Sequence, residues 1–413
     1  MSPVTLYKPW PCSWTAYKTL SFLVESTTPK MWNHTCPPNF SDHTFATKHG
    51  VELDLRIWPA NPSSSSPSAS VSEPTANSKG SSPWILYVHG GAYCGGKHYL
   101  PNAWVIPSFR PRGYTVVSIA YRFAPYAGLE EMKQDGIDAY EWCRSNLPNI
   151  VPGVNIDSCT LIGESAGGTI VSLLAHYLPV KALVNIYGPT DFLDPHYSPK
   201  TPASKTDIQP LTDKWSEEDC RLAIKSRDLS KAITVCPYVF DIPIQRVRDQ
   251  WSAPKFEYTE QQRFNWEVKR YMRTYKLLFK VILRTDDLQD EEEELEIFKK
   301  ASPLHMLDES KRYPPTWFLH GDSDLVVPIA QAERMRDRLV EMGVETGVSF
   351  EPGQGHEFDN KYTVSHSCCD HRSELIGRTR VWGDTINTSC PFSTLSTSTP
   401  RHSALWRFEL RSK

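Results

Sequence analysis

The sequence predicts an α/β protein with a mostly parallel central sheet and helices on both faces. Three observations lead there. Short apolar runs recur at Trp84 to Val88, Tyr114 to Ala120, Thr160 to Ile162, Ala182 to Ile186 and Thr316 to Leu319. Helix-length segments separate them, and alternating strand and helix implies parallel strands buried on both sides. Composition is the third: 413 residues, 39% hydrophobic and 23% charged, describe a globular chain long enough to enclose one sizeable core.

Each element has its own signal. Thr47 to Trp58 alternates in polarity and reads as an early strand. The Ser/Pro-rich stretch 60–83 has too little apolar surface to order itself and predicts a flexible surface loop. Helices are expected over Leu129 to Leu147, Gly168 to Tyr177 and Ile329 to Met342, each bounded by proline or glycine. On the first of these, Asp135, Asp138 and Trp142 look like the solvated and core faces of an amphipathic helix.

Between Asp194 and Ala301 the strand–helix alternation breaks. Phe264, Val268, Tyr271, Tyr275, Leu278 and Ile282 keep helical spacing there, which predicts a helix over Phe264 to Arg284 packed on the body of the protein. The acidic run Asp286 to Glu296 reads as solvated surface. Trp215, Tyr238, Phe240, Trp251 and Trp266 fit an apolar or aromatic ligand and core packing equally well. The organisation expected is an extension 1–46, a core 47–193, an inserted cap 194–301, a second core part 302–360 and an atypical, disordered tail 361–413.

Charge and cysteine usage exclude several classes of function. The 48 acidic and 45 basic residues leave a net charge of −3, too little field to gather nucleic acid. No uncharged apolar stretch approaches the roughly 18 residues of a membrane-spanning helix. The N-terminus shows no basic cluster followed by a long apolar core, so no secretory segment is expected, and the glycosylation-type triplets at Asn33, Asn39 and Asn387 are discounted. Ten scattered cysteines without CxxC pairs suggest neither a disulfide framework nor a zinc site, but free thiols in a reducing, cytoplasmic compartment. No cofactor and no metal are expected.

The strongest chemical signal is Gly163-Glu164-Ser165-Ala166-Gly167-Gly168, set between an apolar strand and a helix-like run. Such a turn holds its serine exposed at the carboxyl edge of a sheet, and the helix start behind it favours negative charge. A serine hydroxyl needs a base, and the base needs an orienting carboxylate. Asp324, in the loop after Thr316 to His320, is the chosen orienter, with Asp322 its local competitor. His356 follows in the glycine-flanked loop Pro352 to Phe358. After Trp84 to Val88 stands His89-Gly90-Gly91-Ala92-Tyr93, whose small residues can free backbone N–H groups for an oxyanion beside the N–H of Ala166. His89 reads as a structural hydrogen-bonder of that turn, and Cys94 as a small packed residue.

Together with Tyr121-Arg122-Phe123-Ala124-Pro125, these motifs resemble the α/β-hydrolases of the hormone-sensitive-lipase-like esterase group, fungal members above all, over roughly Thr47 to Asp359. Ala92 stands where that group has a third glycine, and Glu164 where it has aspartate. The resemblance implies an α/β-hydrolase fold with an inserted helical cap. It also implies a triad of Ser165, Asp324 and His356, and an oxyanion hole of Gly90, Gly91, Ala92 and Ala166, with Gly90 shaping the turn. A serine carboxylesterase acting on a small-molecule ester is the activity it implies; thioester, lactone and amide cleavage, acyl transfer and non-catalytic ligand binding stay open. The chain's oligomeric state is not legible.

Overall fold

A computed structural model describes residues 39–61, 82–198, 201, 214–237 and 258–361. The expected loop 60–83 and tail 361–413 fall almost wholly outside the described residues, as do Asn33, Asn387, Tyr238, Phe240 and Trp251. Strands β1 (Ser41–Lys48) and β2 (Val51–Trp58) form an antiparallel hairpin. His49 and Gly50 close it with φ of 53° and 78°, the left-handed geometry that matches the strand twist. The single strand expected from Thr47 is thus the second arm of a hairpin that begins inside the segment assigned to an extension. Its first arm carries only Phe45 as a buried position, which leaves a weak sequence signal.

Next come β3 (Ser82–Val88), the short helix α1 (Val105–Phe109), β4 (Thr115–Ile119) and α2 (Leu129–Ile150). They are followed by β5 (Val154–Glu164), α3 (Ala166–Leu174) and β6 (Ala182–Ile186). The insertion contributes α4 (Glu217–Ser226), α5 (Glu260–Thr274), α6 (Leu278–Ile282) and α7 (Glu291–Ala301), before β7 (Thr316–Gly321), α8 (Ala330–Glu341) and β8 (Thr346–Glu351). The strands form one eight-stranded sheet in the order β1-β2-β4-β3-β5-β6-β7-β8, parallel from β4 to β8.

Alternation along β3 shows why this sheet needs cover on both sides. Trp84, Leu86 and Val88 join one apolar cluster with α2 and α3, while Ile85 and Tyr87 join another with α1. A strand with period-two side chains and no polar face belongs inside a three-layer sandwich. Helix α3 is buried along its whole length, as a helix apolar all round must be. Among the described residues no helix is long and apolar enough to cross a membrane.

Two expectations need correction. Asp135 is not on a solvated face: it is fully buried and takes Arg122 in two hydrogen bonds of 2.7 and 3.0 Å, with Lys48 at 3.2 Å. Arg122 is itself buried, so Asp135→Ala strands a guanidinium and should lower unfolding free energy by about 3–5 kcal/mol. Urea melts test this, and a loss below ~1 kcal/mol would contradict it. The helix predicted over Phe264 to Arg284 is two helices, broken where Lys276 takes a φ of 52°. Apolar spacing runs through the break because both pieces face the same body.

The acidic run also has a defined place. Glu291 to Glu294 fill the first turn of α7, where the helix dipole favours them, and Asp290 caps the N–H groups of Glu292 and Glu293. Asp286 and Asp287 pair with Arg227, and Glu294 pairs with Lys280.

Candidate active site

The site lies at the carboxyl ends of the parallel strands, where an open α/β sheet leaves a crevice. Ser165 sits between β5 and α3 at φ 49° and ψ −120°, a strained backbone that lifts its side chain off the sheet edge. The glycines of the motif follow from close approach. A Cβ on Gly163 would lie 2.2 Å from Gly167 O, and one on Gly167 would lie 2.1 Å from Val88 O. A side chain at Gly163 would push α3 away from β5 and one at Gly167 would push it away from β3, tilting the serine in either case.

Three side chains named from the sequence meet here. Ser165 Oγ is 2.9 Å from His356 Nε2, and His356 Nδ1 is 2.7 Å from Asp324 Oδ2. Asp324 Oδ1 accepts the N–H groups of Val326 and Val327 at 2.8 and 2.9 Å. Burial alone would raise the Asp324 carboxyl, but hydrogen bonds from His320, His356 and the Val327 amide outweigh it and hold the group well below the usual carboxylate range. Asp322, the competitor, is exposed and accepts the Gly353 N–H, which ties two loops together away from His356.

His320 escaped the sequence reading. Its Nε2 lies 3.4 Å from Asp324 Oδ2, the oxygen that His356 Nδ1 also approaches, and 2.8 Å from Val327 O. Its place at the end of β7, four residues before Asp324, was the available signal.

The loop after β3 carries the candidate oxyanion donors. Gly91 has φ 133°, and a Cβ there would lie 2.0 Å from Gly95 O, so the loop doubles back as only glycine permits. Ala92 takes φ 52° in the same turn. Among the described residues the N–H groups of Gly91, Ala92 and Ala166 donate to no protein acceptor. Gly90 differs from the sequence grouping: its N–H is committed to Glu164 Oε1 at 3.1 Å, so it anchors the turn and is not free to donate to an oxyanion. His89 is buried, with Nδ1 2.7 Å from Gly90 O and its ring stacked on Tyr121 at 4.7 Å, a hydrogen-bonder of the turn. The Cys94 thiol is pushed up to about 12 by burial, which suits a packed residue and not a nucleophile.

The inserted segment grips this loop directly. Gly96 and Cys236 exchange two backbone hydrogen bonds, 2.8 and 3.0 Å long. Buried Asn265 on α5 donates to Cys94 O at 2.5 Å, and Trp266 comes to within 3.8 Å of the Cβ position of Gly95. Among the described residues no group of three or more His, Cys, Asp and Glu side chains is placed to hold a metal ion.

A family model described as alpha/beta hydrolase fold matches residues 85–360. The chain belongs to that family. Every motif above except the β1–β2 hairpin falls within the matched stretch of this α/β-hydrolase-fold protein. The non-reducing polyketide synthase ausA of Aspergillus calidoustus is 26% identical to it over 321 residues, 70% of this chain and 12% of the synthase. The non-reducing polyketide synthase trt4 of Aspergillus terreus is 25% identical over 298 residues, 67% of this chain and 12% of the synthase. The chain therefore spans about one eighth of the length of these curated relatives. Among solved structures, esterase B from Lactobacillus Rhamnosis is similar with a TM-score of 0.49 and 12% identity, covering 90% of this chain and 92% of that one.

Proposed function

We propose that this α/β-hydrolase-fold protein is a serine hydrolase that cleaves a carboxylic ester of a small apolar or specialised metabolite. The observation that carries the reading is the continuous hydrogen-bonded line from Ser165 through His356 to Asp324, built on a strained turn. In this reading His356 Nε2 takes the Ser165 proton as Oγ bonds to the ester carbonyl carbon, and Asp324 keeps the imidazole oriented and stabilises its cation. Free N–H groups at Gly91, Ala92 and Ala166 suit the oxyanion that forms. His356 returns the proton to the departing alcohol; water then attacks the acyl-serine by the same route and releases the acid.

A second reading is favoured by one finding. The similar regions of ausA and trt4 belong to proteins named as polyketide synthases, and polyketide assembly is acyl-transfer chemistry. The same machinery would then take a polyketide-type acyl group from a thioester, or pass it to an acceptor other than water. The test of the common step needs no substrate. Purified protein treated with a fluorophosphonate should gain one adduct by intact mass, absent in a folded Ser165→Ala variant. A folded wild-type protein that takes no label would remove both readings.

A further inference from the structure

Glu164 has a second acid beside it. The Asn102 amide donates to Glu164 Oε2 at 2.5 Å and to Asp359 Oδ2 at 2.8 Å. The Tyr187 hydroxyl is likewise shared, 2.5 Å from Asp359 Oδ1 and 3.4 Å from Glu164 Oε2. Trp104 Nε1 adds a third donor to Asp359 at 2.8 Å, and Asp359 is fully buried. Two carboxyl groups held against the same donors cannot both be charged without large cost, so one proton is retained between them. Asn102 and Tyr187 bridge the two carboxyls, and Glu164, whose Oε1 also accepts the Gly90 N–H, is the member of the pair that burial and the neighbouring acid keep protonated.

The placement of this pair relative to the chemistry is what gives it a role. Glu164 immediately precedes Ser165, its Oε1 holds the Gly90 N–H of the oxyanion loop, and Asp359 stands three residues after His356. Tyr187, the shared donor, also packs against the His356 ring, tilted at 59° with centroids 4.7 Å apart. Three chain segments that must meet within a fraction of an ångström are therefore tied to one cluster. We propose that Glu164 and Asp359 are positioning residues: they share one proton, and in that state they lock the oxyanion loop and the His356 loop onto the nucleophile turn. This inference deepens the serine-hydrolase reading and rests on it. Neither carboxyl touches the reacting atoms.

The pair carries its own signature against pH. Burial first, then the Asp359 charge, raises the Glu164 carboxyl from 4.5 to about 8, with Glu357 adding to the rise and the Gly90 and Tyr87 hydrogen bonds opposing it. Tyr121 and Tyr187 also face the cluster. A raised folded value means stability that is complete below about 4.5 and lost as pH climbs through about 8. Above that point two adjacent negative charges push the loops apart.

The experiment follows fluorophosphonate labelling rate and melting temperature from pH 6 to 9.5 in wild type, Glu164→Gln and Asp359→Asn. In the wild type both should fall on the alkaline side, the rate by on the order of tenfold. Glu164→Gln keeps an acceptor for Gly90 and should lose that alkaline fall in both readouts, whereas Asp359→Asn leaves the burial of Glu164 in place and should move the fall to lower pH. Variant profiles parallel to wild type, even if uniformly slower, would overturn the proposal, since packing alone predicts that result. A wild type with no alkaline fall in melting temperature overturns it too. Wild type that labels at no pH sinks the hydrolase reading instead, and the melts then judge the pair.

Discussion

Replacing Ser165 by alanine is expected to lower turnover of any accepted ester by about 10⁴-fold or more, with little change in melting temperature. The variant removes one atom and one 2.9 Å hydrogen bond to His356, while the backbone at φ 49° remains held by the Ser165 N–H bond to Ile186 O at 2.8 Å. Structure and chemistry thus separate: a purely structural serine would show as lost stability with turnover retained. Steady-state kinetics beside a thermal melt decide between them, and turnover within tenfold of wild type would exclude Ser165 as nucleophile.

The next largest effect is expected at Asp324. In Asp324→Asn the amide oxygen can still accept from Val326 and Val327, so the loop keeps its shape. The amide NH₂, however, would face His356 Nδ1 at 2.7 Å, and two donors cannot meet there. Imidazole must then carry its proton on Nε2, the atom that should receive the Ser165 proton. A loss of about 10⁴-fold in kcat follows, with far less change in KM, as a tautomer fault predicts. Kinetics on the folded variant check it; a loss under about tenfold would mean that another group orients the histidine.

Much of this was legible in the sequence because it is local. The turn around Ser165 needs glycine at positions 163 and 167 for reasons confined to strand, turn and helix, and the order of serine, aspartate and histidine follows the order of strands. What stayed hidden depends on residues far apart in the chain. Asp359 looks like an ordinary acidic residue until Asn102 and Trp104, more than two hundred residues earlier, close on it. Asp135 reads as solvated for the same reason: on a helix an acid at a core-facing position looks like an error until its Arg122 partner is placed. The break at Lys276 was invisible because hydrophobic periodicity reports which face is buried and not whether the helix axis continues.

The hydrogen bonds from Cys236 and Asn265 to the loop of Gly91 and Ala92 bear on how such proteins can be re-engineered or diversify. A segment that selects substrate is usually treated as an exchangeable module. Under the proposed hydrolase reading, recognition and acyl chemistry would share this backbone seam, so grafting a foreign cap would alter the rate constant along with the choice of substrate. A chimera whose new cap lacked an amide able to reach Cys94 O would bind its intended ester and turn it over poorly, and restoring that single amide would be the first repair to make.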